Sequence, residues 1–274
     1  MKIFGIDFSS APTHKKPITC AACDFHEALL TVNDCLELSS LVEFEDFLHS
    51  PGPWIAALDF PFGQPRKLIT NLSWPESWEG YVRTIASMGK TWFEETLTRY
   101  QASRPPGDKQ HLRATDVQAR ARSPMMLHRV PVGKMFFQGA TRLLASDVSV
   151  LPCRPTDDSR IVIEGYPALV ARKWLGKQSY KSDESSRQTI ENSVAREYLM
   201  GTLRSPELPA NYGVKLNISD VMAKVLNQDS RGDSLDALLC AIQAAWSFTW
   251  RDNGYGIPAQ CDKDEGWIVD PLML

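Results

Sequence analysis

No apolar run in this chain approaches the roughly 18 consecutive residues that a membrane-spanning helix needs. No long apolar segment precedes a small-residue cleavage site near Met1, so the expectation is a cytoplasmic protein without a secretory signal. Cysteine is scarce as well. Six among 274 residues are too few for a disulfide scaffold. Cys20 and Cys23 form a C-x-x-C, but no second C-x-x-C or H-x-H completes four zinc ligands. Residues three apart on a strand face opposite ways, so both thiols are expected in ordinary buried or half-buried positions. Positive charge is not in surplus either. The formal net charge of −3 excludes an overall pull toward nucleic acid or membrane and makes any basic partner surface a local one. Ser87-Met88-Gly89-Lys90-Thr91 imitates the end of a P-loop but lacks the first glycine of G-x-x-x-x-G-K-[ST] and follows no strand.

What is present supports a sizeable core: 43% hydrophobic and 23% charged residues is ordinary globular composition. Residues 2–8, 17–25 and 28–37 read as three strands separated by polar breaks, the spacing of an antiparallel meander. Leu41, Phe44, Phe47 and Leu48 recur at helical spacing until Ser50-Pro51-Gly52-Pro53 stops the helix. The runs 54–59 and 160–164 are continuous and apolar, as strands buried on both faces require. Between them, 64–150 is rich in Arg, Pro and helix formers, with helical periodicity at 74–87, 91–100 and 134–145. It reads as a helical insertion within one domain spanning 1–274, a cap on the sheet. Further helices are expected at 168–174, 189–203 and 217–227, with a polar, mobile stretch at 176–188. The tail from Cys261 to Leu274 reads as a closing strand or a packed extension.

Three of these strands end in a carboxylate. Asp7 closes Gly5-Ile6-Asp7, Asp59 opens Asp59-Phe60-Pro61-Phe62-Gly63, and Glu164 precedes Gly165-Tyr166-Pro167. One such residue has a plain role, an Asx-type bond to its own turn. Recurrence points instead to a shared site at the strand ends, where open α/β sheets bind ligands. A last helix beginning near Asp233 carries Leu235, Leu238, Leu239, Ile242 and Trp246 on one stripe. Asp233, Asp236 and Cys240 occupy another face. Capping and the helix dipole account for Asp233, but less well for a second carboxylate one turn later. Clustered carboxylates repel one another unless a cation lies between them. Mg²⁺ is the simplest such cation, held by a few carboxylates plus waters and phosphates. Two ions about 3.5–4 Å apart can assist phosphodiester hydrolysis. From Arg99 to Lys134, eight Lys or Arg stand against Asp108 and Asp116. That excess fits a phosphate-backbone surface, with Arg113, Arg120, Arg122, Arg129 and Lys134 as expected nucleic-acid contacts, although charge runs are often no more than solvated loops.

The strand order, Gly5-Ile6-Asp7 and Asp233-Ser234-Leu235-Asp236-Ala237 resemble the RNase H-like superfamily, particularly its RuvC-type resolvases. More closely, Gly5-Ile6-Asp7-Phe8-Ser9, Leu58-Asp59-Phe60-Pro61-Phe62-Gly63, Glu164-Gly165-Tyr166-Pro167-Ala168, the run from Asp233 to Ala241, and Glu265-Gly266-Trp267-Ile268 resemble the predicted RNase H-like nuclease family known as domain of unknown function 429. The likeness spans nearly the whole chain, with 64–150 its least characteristic part. It implies an α/β fold with a mixed five-stranded sheet, a three-strand antiparallel meander plus parallel strands, flanked by helices. It also implies a nuclease dependent on Mg²⁺ or Mn²⁺. Asp7, Asp59 and Asp236 would be the metal ligands, Asp7 bridging two ions while Asp59 and Asp236 each complete one site. Asp233 would be a fourth ligand or a supporting group, and Glu164 a further member of the catalytic set.

Two other classes share features with this chain. Actin-like and sugar-kinase phosphotransferases also begin with a strand, then Asp and small hydroxyl residues, but they need a duplicated domain and a glycine-rich adenosine site. A catalytically silent module could keep the fold only to bind nucleic acid or a protein.

Overall fold

The computed structural model describes residues 1–182 and 188–274. Part of the polar stretch expected to be mobile, 183–187, lies outside the described residues. The alternating N-terminal segments form β1 (Lys2–Asp7), β2 (Ile18–His26) and β3 (Leu29–Leu38), paired as an antiparallel meander. Helix α1 (Leu41–Leu48) follows, capped by Ser40, whose hydroxyl accepts from the Glu43 amide at 3.1 Å. β4 (Trp54–Leu58) then returns parallel to β1.

The 64–150 segment supplies α2 (Arg66–Asn71), α3 (Trp78–Met88), α4 (Lys90–Ala102), α5 (Ala114–Ala119) and α6 (Val132–Ala145). β5 (Ser149–Val150) and β6 (Arg160–Glu164) lead on to α7 (Pro167–Leu175), α8 (Ile190–Leu203) and α9 (Glu207–Tyr212). β7 (Lys215–Asn217), α10 (Asp220–Gln228) and α11 (Asp233–Thr249) complete the order.

The strands make one seven-stranded mixed sheet in the order β5-β6-β4-β1-β2-β3-β7. The meander and the parallel strands β4 and β6 are its centre, as expected. The two extra strands are edge pieces of two and three residues, too short for alternation to register in a sequence. The tail is a packed extension. Ile268 makes an isolated parallel bridge with Glu164, and a 3-10 turn follows at Pro271–Met273.

Side chains alternate between two apolar layers. Ile3, Ile55, Ala57 and Ile163 join α7 to α11 on one face. Ile6, Trp54, Ala56, Leu58 and Val162 meet α1 and the helices of 64–150 on the other. The insertion is therefore one of the two layers that bury the sheet. Cys20 and Cys23 fall in different layers, as strand geometry requires, and both are free thiols.

Helix α11 is buried on nearly every side from Asp233 to Ser247, rather than along the single stripe expected. It packs on β1, β2 and β4. Gly5 makes this possible, because a Cβ there would lie 2.0 Å from the Ala237 carbonyl and 2.1 Å from the Ala241 nitrogen.

Candidate active site

Strand parity decides which carboxylates meet. β1 and β4 are in register through the pair Ile6 and Leu58, so Asp7 and Asp59 each follow by one residue. The Asp59 amide donates to the Ile6 carbonyl at 2.9 Å, which continues the ladder. Ile6 and Leu58 face the insertion layer, so the next side chains turn toward α11. Asp236, in the first turn of α11, faces them across the helix–sheet contact. Asp236 raises the pKa values of both Asp7 and Asp59, which places the three within electrostatic reach.

Glu164 ends its strand too, but one position early. It pairs with Leu58, not with Asp59, and so points into the insertion layer. There Arg113 grips it through Nη1–Oε2 at 2.8 Å and Nη2–Oε1 at 2.6 Å, while the Phe62 amide donates to Oε2 at 2.9 Å. Gly165 takes the place facing α11, where a Cβ would stand 3.2 Å from the Cys240 sulfur. Asp7, Asp59 and Asp236 thus lie within electrostatic reach of one another, while Glu164, whose charge also raises Asp59, is held in a buried ion pair with Arg113.

Asp233 is 5% exposed, and its Oδ2 accepts no hydrogen bond among the described residues; Arg231 Nε stands 3.4 Å away. It does not cap its helix. Asp229 does so, with Oδ2 accepting from the Ser234 amide and hydroxyl, each at 2.9 Å. Asp233 joins the cluster at its margin and adds to the upward shift of Asp7.

Electrostatics follow from this crowding. Burial, then the Asp236 charge, push Asp7 well above the ordinary carboxylate range, with Asp59 and Asp233 adding to the effect. The same two causes raise Asp59 to about 7. Lys181 opposes both shifts. Its ammonium pairs with Asp236 Oδ2, and the Tyr180 hydroxyl donates to Asp236 Oδ1. Arg196 Nη1 holds the Tyr180 carbonyl at 2.7 Å, and the Lys181 stem packs over Gly232 at the start of α11. Burial alone would lower the Lys181 pKa, but Asp236, Tyr180 and Asp7 hold it well above its usual value.

Tyr180 and Lys181 had no signal in the sequence beyond an aromatic and a cation in a polar stretch. The Arg113–Asp116–Glu164 network left one trace, opposite charges three residues apart at a helix start.

The expected nucleic-acid contacts separate. Arg113 is 1% exposed and saturated by Asp116, Glu164 and the Glu265 carbonyl, so it braces the site from beneath. Arg120 and Arg129 are exposed, Arg122 is exposed too, and Lys134 reaches Glu94 at 3.5 Å. Arg122 also lines a cavity of about 170 Å³ together with Asp59, Phe60, Pro61, Glu164 and Tyr166. The P-loop look-alike is a helix–helix junction, with Gly89 at φ 85° joining α3 to α4.

An oxygen-only donor set suits a hard divalent cation such as Mg²⁺ or Mn²⁺. Among the described residues the Asp7 and Asp59 carboxylates accept no hydrogen bond, and the repulsion that Asp236 exerts on both, with Asp59 on Asp7 and Glu164 on Asp59, is what such an ion would relieve. Among the same residues no three Asp, Glu, His or Cys side chains are gathered in ligating geometry. The carboxylates fit the ion with water or phosphate completing its shell, not as a closed protein cage.

No helix of the described residues is long and apolar enough to cross a membrane. Compared with models of known families, with curated proteins and with solved structures, the chain matches none.

Proposed function

We propose that this chain is a Mg²⁺- or Mn²⁺-dependent nuclease that hydrolyses phosphodiester bonds of nucleic acid at the Asp7–Asp59–Asp236 cluster. The observation that carries the reading is the adjacency of Asp7 and Asp59 past the Ile6–Leu58 pair, facing Asp236 on α11. A meander continued by two parallel strands, with α11 lying across them, is also the arrangement expected of an RNase H-like core.

A bound divalent ion would supply Lewis-acid polarisation of the phosphoryl oxygens and neutralise developing charge. The chain's own residues do the rest. Asp7 and Asp59, ionised, would hold the ion at the ends of two rigid strands. Asp236, fixed by Tyr180, aims the Lys181 ammonium into the same space, where it can meet a substrate phosphate. Arg122, at the cavity beside Asp59, supplies an exposed guanidinium for a neighbouring phosphate. Arg113 and Glu164 stiffen the strand ends beneath.

The test is a labelled panel of single-stranded, duplex and branched RNA and DNA, incubated with Mg²⁺, Mn²⁺ or EDTA. Cleavage of at least one class with either ion, and of none in EDTA, is the expected result. An intact panel under all three conditions would sink the proposal.

A further inference from the structure

Resting on the nuclease reading, we infer that Lys181 occupies the place of one of two catalytic cations, so that the site takes a single divalent ion between Asp7 and Asp59.

Asp236 has both carboxylate oxygens engaged, Oδ1 by the Tyr180 hydroxyl and Oδ2 by the Lys181 ammonium. A second ion on Asp236 would have to break one of these contacts. Asp7 and Asp59, by contrast, accept no hydrogen bond among the described residues and stand level across two parallel strands. Two carboxylates plus water and substrate phosphate are a usual complement for Mg²⁺.

Lys181 is held in place, not merely nearby. Its stem lies 3.0 Å from where a Gly232 side chain would begin, and Tyr180, its neighbour, is clamped at the carbonyl by Arg196. Arg196 Nε donates in turn to the Asn227 carbonyl at 2.8 Å, which ties α8 to the end of α10. An ammonium is a compact point charge with three donors, so it can neutralise a carboxylate and meet a phosphate oxygen together. The two-ion arrangement supplies positive charge on both sides of the scissile phosphate. In this chain one side would be supplied by Lys181.

Mn²⁺ titration of the substrate-free protein, followed by electron paramagnetic resonance or calorimetry, reads the number of bound ions directly. One ion per chain is expected for the native protein, and none for Asp7→Asn. Lys181→Met is expected to take two, because Asp236 Oδ2 is released. Two ions in the native protein, or one in Lys181→Met, would overturn the inference and leave the nuclease reading standing if cleavage is observed. No ion in the native protein would overturn it as well, and an uncut panel beside that result would remove the nuclease reading too.

Discussion

Asp7 and Asp59 leave adjacent parallel strands one residue beyond the paired Ile6 and Leu58, and so turn the same way, toward α11. Glu164, in register with Leu58, turns the opposite way. One residue of register therefore separates a candidate metal ligand from a structural ion-pair partner. Each carboxylate has a different predicted consequence.

The first consequence concerns pH. Burial, then the Asp236 and Glu164 charges, raise Asp59 to about 7, against roughly 3.9 for an aspartate in an unfolded chain. Between those values the folded chain keeps a proton that the unfolded chain has released. Stability must then fall as pH rises from about 4 to about 7 and level off above. Melting curves in EDTA are expected to show Tm dropping across that window, and a smaller drop for Asp59→Asn. Mn²⁺ should raise Tm more at pH 8 than at pH 5.5, since the ion needs the ionised carboxylate. Equal slopes for native and Asp59→Asn proteins would contradict the placement of Asp59.

Glu164 should behave as a stability residue. Glu164→Gln leaves the buried Arg113 with Asp116 as its one carboxylate partner, and breaking a buried pair costs roughly 3–5 kcal/mol. Urea unfolding is expected to show a loss of about 3 kcal/mol, with Mn²⁺ affinity in the folded protein kept. A stable variant that had lost metal binding would return Glu164 to the catalytic set.

Gly5 tests the helix–sheet contact that brings Asp236 to the strands. Gly5→Ala forces α11 away from β1 and is expected to cost about 3 kcal/mol or more, since overpacking at backbone cannot relax by a rotamer change. Gly201, within α8, has no atom within 4 Å of the position a methyl group would take. Gly201→Ala is expected to gain roughly 0.4–1 kcal/mol. Similar effects at both sites, measured by denaturant unfolding, would count against the tight α11 contact.

Much of this was legible in the sequence, and the omissions have physical reasons. The meander, β4, β6 and the late helix carry long alternating or continuous apolar patterns, which local reading detects. β5 and β7 owe their existence to neighbours already in place, and α2, α5 and α9, at six residues each, offer too little periodicity to stand out. Burial of α11 on all sides was foreshadowed by its uncharged run from Ala237 to Trp246, a pattern typical of a wholly buried helix. Asp7, Asp59 and Asp236 could be singled out because each stands at an element's end. The separation of Glu164 could not, because it depends on register between strands more than a hundred residues apart. Lys181 reaches Asp236 across 55 residues of sequence, a contact that only the tertiary fold creates.

The measurement that bears most directly on the whole account is the metal-dependent cleavage rate of Asp7→Asn beside the native protein. It should be made on whichever nucleic acid the native protein cuts fastest, at matched folded concentration. Loss of cleavage to the level of the EDTA control is the predicted result. A folded Asp7→Asn protein that cuts at the native rate would contradict it.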